Sequence, residues 1–401
     1  MKRLYILLIV FALLMSSCSV SSTEVPQSKP IDPNSVPEEH QQNSPVFQSK
    51  AEEILSAMTL EEKVGQLFFI RPDSLSPSLD AQQVNDPYLY GITDVDSDML
   101  TFLRQYPAGG IVFFGKNLTD PDRLSSYMDQ LNAASPIPLT FAIDEEGGGV
   151  SRIAESEPFQ IENCGPMGNR KDQQEAYEAG NYIGSYLGRF GFTLDFAPVA
   201  DVNSNPDNIV IGNRAFGSDP HFVSRMVSSF LQGLHDKNIA GCLKHFPGHG
   251  DTSGDTHNGY VSVTKTWEQL EEAELIPFVD NLSSADLVMV AHLTLPNITE
   301  DGLPASLSKE LITGKLKGEL SYTGLIVTDA LAMGAIHDNY SSADAALLAF
   351  DAGADILLMP YDYREAFDSV RSAVLFGIIT EDRLDESVLK ILEFKERYGL
   401  I

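Results

Sequence analysis

The chain has 401 residues, 43% of them hydrophobic and 21% charged, the balance of a globular protein with enough length for one large or two ordinary domains. Lys and Arg number 27 against 57 Asp and Glu, a net charge of −30. That acidity excludes nucleic acid and polybasic membrane contact; it aids solubility without identifying a partner.

The first residues stand apart from the fold. Lys2-Arg3 precede an apolar run from Leu4 to Met15, and Ser16-Ser17-Cys18 follow. The run is too short to span a bilayer and reads as a secretory signal over residues 1–17. The small residues before Cys18 resemble a bacterial lipoprotein box, with Met15 a departure from its preferred residue. That resemblance implies lipidation of Cys18 and an exported protein anchored at a bacterial cell envelope, with simple cleavage and secretion as the alternative. Residues 18–49 are rich in Ser, Pro, Gln and Glu and read as a disordered tether. Cys164 and Cys242 are expected to remain unpaired, because Cys242 falls in a core strand where free cysteine acts as a small hydrophobe.

From residue 50 short apolar runs alternate with longer amphipathic ones, the pattern of a parallel α/β fold. Strands are predicted at Val64–Ile70, Gly110–Gly115, Leu139–Asp144, Thr193–Pro198, Ile239–His245, Leu287–His292, Leu325–Asp329 and Asp355–Met359. Helices are predicted at Pro121–Ala134, Gln174–Phe190, Phe222–Lys237, Trp267–Leu282, Lys309–Leu320 and Ala343–Ala352, then at Arg364–Phe376 and Glu381–Tyr398. Arg71–Asp98 is polar, rich in Pro and Asp, and expected to be a loop insertion. The expected fold is a single (β/α)₈ barrel over residues 50–401, with a doubly wound open sheet as the alternative. Polar residues recur at the ends of the strand runs: Asp144, Asp201, Lys244 with His245, His292 and Asp329. A barrel gathers such ends on one rim; an open sheet strings them along an edge. Asp201 and His292 receive no chemical step.

The most informative stretch runs from Lys244-His245-Phe246-Pro247-Gly248-His249-Gly250-Asp251-Thr252 into Ser253-Gly254-Asp255-Thr256-His257. It holds three of the eight histidines. Charge at a strand end opening into a Gly-rich loop is where an α/β enzyme places its chemistry. Downstream, Thr328-Asp329-Ala330 ends another apolar run. Together these motifs resemble glycoside hydrolase family 3, in its NagZ-type β-N-acetylhexosaminidase branch. The histidines with Asp251 fit no zinc spacing, so no metal is expected, and no cofactor is implied.

The resemblance implies a retaining mechanism with Asp329 as nucleophile and the Asp255–His257 dyad as acid/base, the aspartate orienting an imidazole that titrates near neutrality. It implies substrate contacts from Asp144, Arg152, Arg214, Lys244 and His245. Asp144-Glu145-Glu146-Gly147-Gly148 matches the family turn, but Gly149 stands where the family carries an arginine, which bears on local loop packing. The segment Gly248–Gly259 has four glycines and little apolar anchorage, so it is expected to open and close. The implied activity releases terminal non-reducing N-acetylglucosamine from peptidoglycan fragments, by a monomer. The alternatives are a β-glucosidase or glycosyl phosphorylase on the same site, and a surface lipoprotein that binds sugar without cleaving it.

Overall fold

Among the described residues ten short strands follow one another as β1 (Phe68–Ile70), β2 (Gly110–Phe113), β3 (Thr140–Ile143), β4 (Leu194–Asp195), β5 (Ala240–Phe246), β6 (Val261–Ser262), β7 (Leu287–Val290), β8 (Leu293–Thr294), β9 (Leu325–Thr328) and β10 (Leu357–Leu358). This computed structural model describes residues 48–153, 157, 159–252, 259 and 261–401. The signal, Cys18, the tether, Asp255 and His257 lie outside the described residues.

Eight strands pair in parallel in the order β10-β1-β2-β3-β4-β5-β7-β9, while β6 and β8 form a separate two-stranded ribbon. The ring closes through the bridge Val327↔Ile356 and the bond from Thr328 N–H to Ile356 O at 3.1 Å. The expected (β/α)₈ barrel is the fold. Parallel strands buried on both faces read as unbroken apolar runs, and here β2, β3, β7 and β9 are buried throughout. Each fully buried Leu, Ile or Phe contributes about 1.5–3 kcal/mol through removal from water.

Capping residues punctuate the surrounding helices. Asp219 accepts from Phe222 N–H at the start of Pro220–His235, and Gly191 (φ 91°) ends Gln173–Phe190 in the left-handed conformation. These two helices cross closely: a Cβ on Gly180 would stand 2.1 Å from the Phe230 carbonyl oxygen.

The structure corrects several boundaries. Val64–Gln66 is helical, because Thr59 and Glu62 form a capping box that starts a helix at Leu60. The expected helix Trp267–Leu282 is split into Trp267–Glu271 and Ile276–Asn281, with Pro277 in the first turn of the second piece. Glu310–Glu319 is a wide helix closed by Leu320 N–H to Lys315 O at 2.9 Å. The polar insertion carries more structure than a loop: a 3₁₀ turn at Pro72–Leu75 and a helix at Ala81–Asn85 begun by the Asp80–Gln83 capping box. Buried Asp73 ties it down, accepting from Asn117 Nδ2 at 2.8 Å and Ile92 N–H at 3.0 Å. Cys164 and Cys242 are both free and buried.

One buried cation sits far from any rim chemistry. Lys395, on the closing helix Glu381–Arg397, is fully buried, and its Nζ donates to Gln66 Oε1 and to Pro138 O, each at 2.6 Å. Burial pulls its pKa down to about 7 from an ordinary 10.5. Between those values the unfolded chain holds a proton that the folded chain lacks, so this residue makes stability rise with pH. Raising the pH from 7 to 9 is expected to stabilise the wild type by about 2 kcal/mol more than Lys395→Met, read from paired urea titrations. Equal pH responses in the two proteins would refute the assignment.

Candidate active site

The carboxyl ends of the barrel strands open onto a cavity of about 540 Å³. Asp144 after β3, Lys244 and His245 on β5, Asp329 after β9, and Arg152 and Arg214 from the connecting loops all line it. These are six of the residues proposed from sequence, and their meeting is what a closed barrel dictates for strand ends.

Lys244 is the hub. Its Nζ lies 2.8 Å from Asp144 Oδ1 and 2.6 Å from Glu146 Oε1. Arg214 grips Glu146 with both edges of its fork, Nε to Oε2 at 2.9 Å and Nη2 to Oε1 at 2.8 Å. Burial alone would raise the Glu146 pKa, but Lys244 and Arg214 outweigh it and hold the carboxyl well below the usual range. Burial likewise works against charged Lys244, yet Asp144 and Glu146 raise its pKa above the ordinary lysine value. Both charges are therefore fixed.

A second layer holds His245. Arg214 Nη2 donates to its Nε2 at 3.3 Å, since a guanidinium can only donate. That leaves the proton on Nδ1, which donates to Asp201 Oδ2 at 2.7 Å. Asp201 Oδ1 also accepts from the backbone N–H of His245 at 3.2 Å and of His249 at 2.6 Å. Burial raises the Asp201 pKa, but His245 and His249 overcome it and keep the carboxyl ionised. Asp201 is thus the clamp that sets where the loop leaves β5. His292 does not line the cavity: buried, it meets Ala330 O at 2.9 Å through Nε2 and Ser306 Oγ at 2.7 Å through Nδ1. It props the backbone beside Asp329. The Asp329 carboxylate accepts from Ala330 N–H at 2.8 Å, and its own N–H extends the β7–β9 pairing to Val290 O at 2.9 Å.

The turn after β3 is shaped by Gly147 (φ 94°) and Gly148 (φ 59°), where a side chain would be strained and, at Gly148, would strike Asn163. Glu145 points away from the cavity and accepts from Arg152 N–H at 2.6 Å and Tyr186 OH at 2.8 Å, which fixes the return of the turn. Gly149 donates to Asn163 Oδ1 at 2.9 Å, and a Cβ there would meet that same oxygen at an ordinary contact distance of 3.9 Å. The missing arginine therefore leaves the turn's packing intact.

The loop after β5 is more anchored at its base than expected. Asn208 Nδ2 donates to His249 O at 2.8 Å, Asn205 Nδ2 to Thr252 O at 3.2 Å, and Thr252 Oγ1 to His249 O at 2.9 Å. Gly250 lies against Val202, where a Cβ would stand 1.8 Å from the carbonyl oxygen. Gly248–Thr252 is thus fastened at the base of the loop. Glu145, Glu146 and the Asp201 clamp carry no assigned step in the sequence reading. Asp144 and Glu146, two apart in an extended stretch, share a side, and that spacing is the signal for Glu146.

Residues 59–394 match the glycosyl hydrolase family 3 N-terminal domain. The chain is similar to the beta-hexosaminidase LpqI of Mycobacterium tuberculosis, 35% identical over 318 residues that cover 76% of this chain and 80% of that protein. Beta-hexosaminidase A of Pseudoalteromonas piscicida is 30% identical over 335 residues, covering 76% of this chain and 56% of that one, so the match spans little more than half of that relative. A solved glycoside hydrolase family 3 beta-N-acetylglucosaminidase from a Paenibacillus species superposes with a TM-score of 0.78 at 34% identity, covering 86% of this chain and 63% of that one. A shared barrel, and a family signature running from the first barrel helices to the last, lead to one conclusion: the chain belongs to glycosyl hydrolase family 3.

Proposed function

We propose that this chain is a retaining β-N-acetylhexosaminidase that releases terminal, non-reducing N-acetylglucosamine. The observation that carries the reading is Asp329 at a barrel strand end, on the same cavity as the Asp144–Lys244 pair. A ring of fixed charges around one carboxylate suits a sugar, whose hydroxyls need donors and acceptors on every side. The names of its relatives support the choice of sugar.

Asp329 attacks the anomeric carbon and carries the sugar as an ester. Asp144, Arg152, Arg214, Lys244 and His245 bind ring hydroxyls, and Arg214 also holds Glu146 in place. His257, oriented by Asp255, protonates the leaving oxygen and later activates water. The substrates are peptidoglycan fragments, acted on by a monomer held at the bacterial envelope through lipid on Cys18, with residues 18–49 as the tether.

A panel of aryl β-glycosides, with and without phosphate, tests the activity. N-acetylglucosaminide is expected to be cleaved at least about 10-fold faster than glucoside, with no acceleration by phosphate. Equal rates on glucoside would overturn the sugar assignment, and phosphate-dependent release of a sugar phosphate would overturn hydrolysis. Detergent-phase partitioning of the full chain, lost in Cys18→Ser, checks the anchor; a protein that stays in the aqueous phase refutes it.

A further inference from the structure

One short stretch of the surface is as apolar as the core. Leu375, Phe376 and Ile378, grouped with Gly377 at the turn between the last two helices, are 64%, 82% and 78% exposed. A run of consecutive exposed apolar residues works against solubility and calls for a partner. Fraying does not explain it. The helix Tyr363–Leu375 ends in an ordered cap with Gly377 at φ 69°. Gly377 N–H donates to Val374 O at 3.0 Å, and Ile378 N–H to Ala373 O at 2.8 Å. Ile379, next in the chain, turns inward and is buried. The fold itself holds the other three side chains outward.

The turn lies at the end of the barrel opposite the cavity. The closing helix Glu381–Arg397 follows it and runs beneath the amino ends of the strands. Arg383 Nη2 donates to Ala354 O at 2.8 Å, just before β10, and Lys395 Nζ reaches Gln66 and Pro138, which precede β1 and β3. The far end of this helix meets the start of the folded chain. There Lys50 N–H and Ala51 N–H donate to the Glu396 carboxylate at 3.4 and 3.3 Å. The apolar turn and the point at which residues 18–49 join the fold therefore share one face, at the two ends of a helix about 25 Å long. Charge on this face differs from that of the whole chain, whose −30 would oppose an anionic surface. Ile378 lines a hollow with Lys309, Lys317 and Arg383, set against Asp351 and Glu386.

We propose that the turn Leu375–Ile378 docks on the acyl boundary of a phospholipid bilayer, so that the domain stands on its amino-end face with the cavity turned away from the membrane. The proposal rests on the reading of residues 18–49 as a membrane tether. A tether supplies an effective concentration on the order of millimolar. Three apolar side chains are too few to hold a free protein at a membrane, but they are enough to orient a tethered one. The contact is apolar, unlike the polybasic kind that the composition excludes.

The test replaces the lipid by a different tether. The chain from residue 18, with Cys18→Ser and a histidine tag at that end, is held on phosphatidylcholine vesicles containing a nickel-chelating lipid. A polarity-sensitive dye is placed on Leu375→Cys or, as control, on Tyr88→Cys beside Pro87 of the cavity wall. Cys164 and Cys242 are buried and do not take it. Brominated lipid is expected to quench the dye at 375 and to spare it at 88. Phe376→Ser combined with Ile378→Ser should bring the quenching at 375 down to the level at 88, with vesicle capture and melting temperature unchanged. An unquenched dye at 375, equal quenching at both sites, or quenching that survives the double substitution overturns the proposal. So does a dimer in free solution that the double substitution dissolves, since the turn then serves a second copy of the chain. The tag acts whatever Cys18 carries, so this outcome is independent of the detergent-phase partitioning that judges the lipid anchor.

Discussion

Asp329→Ala is expected to lower kcat by about 10⁴-fold or more while moving the melting temperature by no more than roughly 3 °C. The asymmetry follows from where the residue sits. Its backbone belongs to the barrel, bonded to Val290, and survives the substitution. Its carboxylate accepts from Ala330 N–H, a bond worth about 1 kcal/mol to the fold. The nucleophile, by contrast, is removed outright, and no neighbouring carboxylate is free to replace it: Glu146 is held by Lys244 and Arg214, and Asp144 by Lys244. A slow 2-fluoro glycosyl donor should trap the ester on the wild type, and peptide mass mapping should find the label on Asp329. A label on any other carboxylate would end the assignment.

His257→Ala should produce a loss that depends on the leaving group. An imidazole that protonates the departing oxygen contributes roughly 10²–10⁴-fold, and that help matters only when the leaving group is poor. Cleavage of a sugar–sugar bond should therefore fall by that factor, while glycosylation from a dinitrophenyl donor proceeds nearly as before. Asp255→Asn should follow the same pattern more mildly, since the imidazole stays but loses its orienting charge. The fastened base of the loop matters here. Gly248–Thr252, which precedes the dyad in the chain, is pinned by Asn205, Asn208 and the Asp201 clamp. Pre-steady-state bursts on the two donors measure the contrast. Equal losses on both would make His257 a binding residue and leave the acid to be sought elsewhere.

Much of this was legible in the chain because barrel strands and strand-end charges leave local marks. Apolar runs of four to seven residues ending in Asp144, Lys244 or Asp329 locate both a strand and its functional end. What the runs do not carry is their limit: Val64–Gln66 leads straight into the apolar run Leu67–Ile70, and the Thr59–Glu62 capping box decides for helix up to Gln66. The partnership of Glu146 with Lys244 and Arg214 joins residues 98 and 68 positions apart in the chain. No local pattern encodes such a pairing. Arg71, which also lines the cavity, was hidden for a related reason, since it opens a polar insertion that reads as loop, and its place on the cavity wall depends on barrel closure through Val327 and Ile356.

The four interlocked charges beneath the cavity have a consequence for how acidity acts on the enzyme. Glu146 is held ionised far into acid and Lys244 far into base, each by the other and by Arg214 or Asp144. Glu146 and Lys244 are therefore silent to titration across the range in which proteins are assayed, a fixed pair beneath the mobile protons of the reaction. The pH profile of kcat/KM should then belong to the chemistry alone, with its basic limb set by the imidazole and erased in His257→Ala. A basic limb that persists in that variant would mean that the pair itself changes charge.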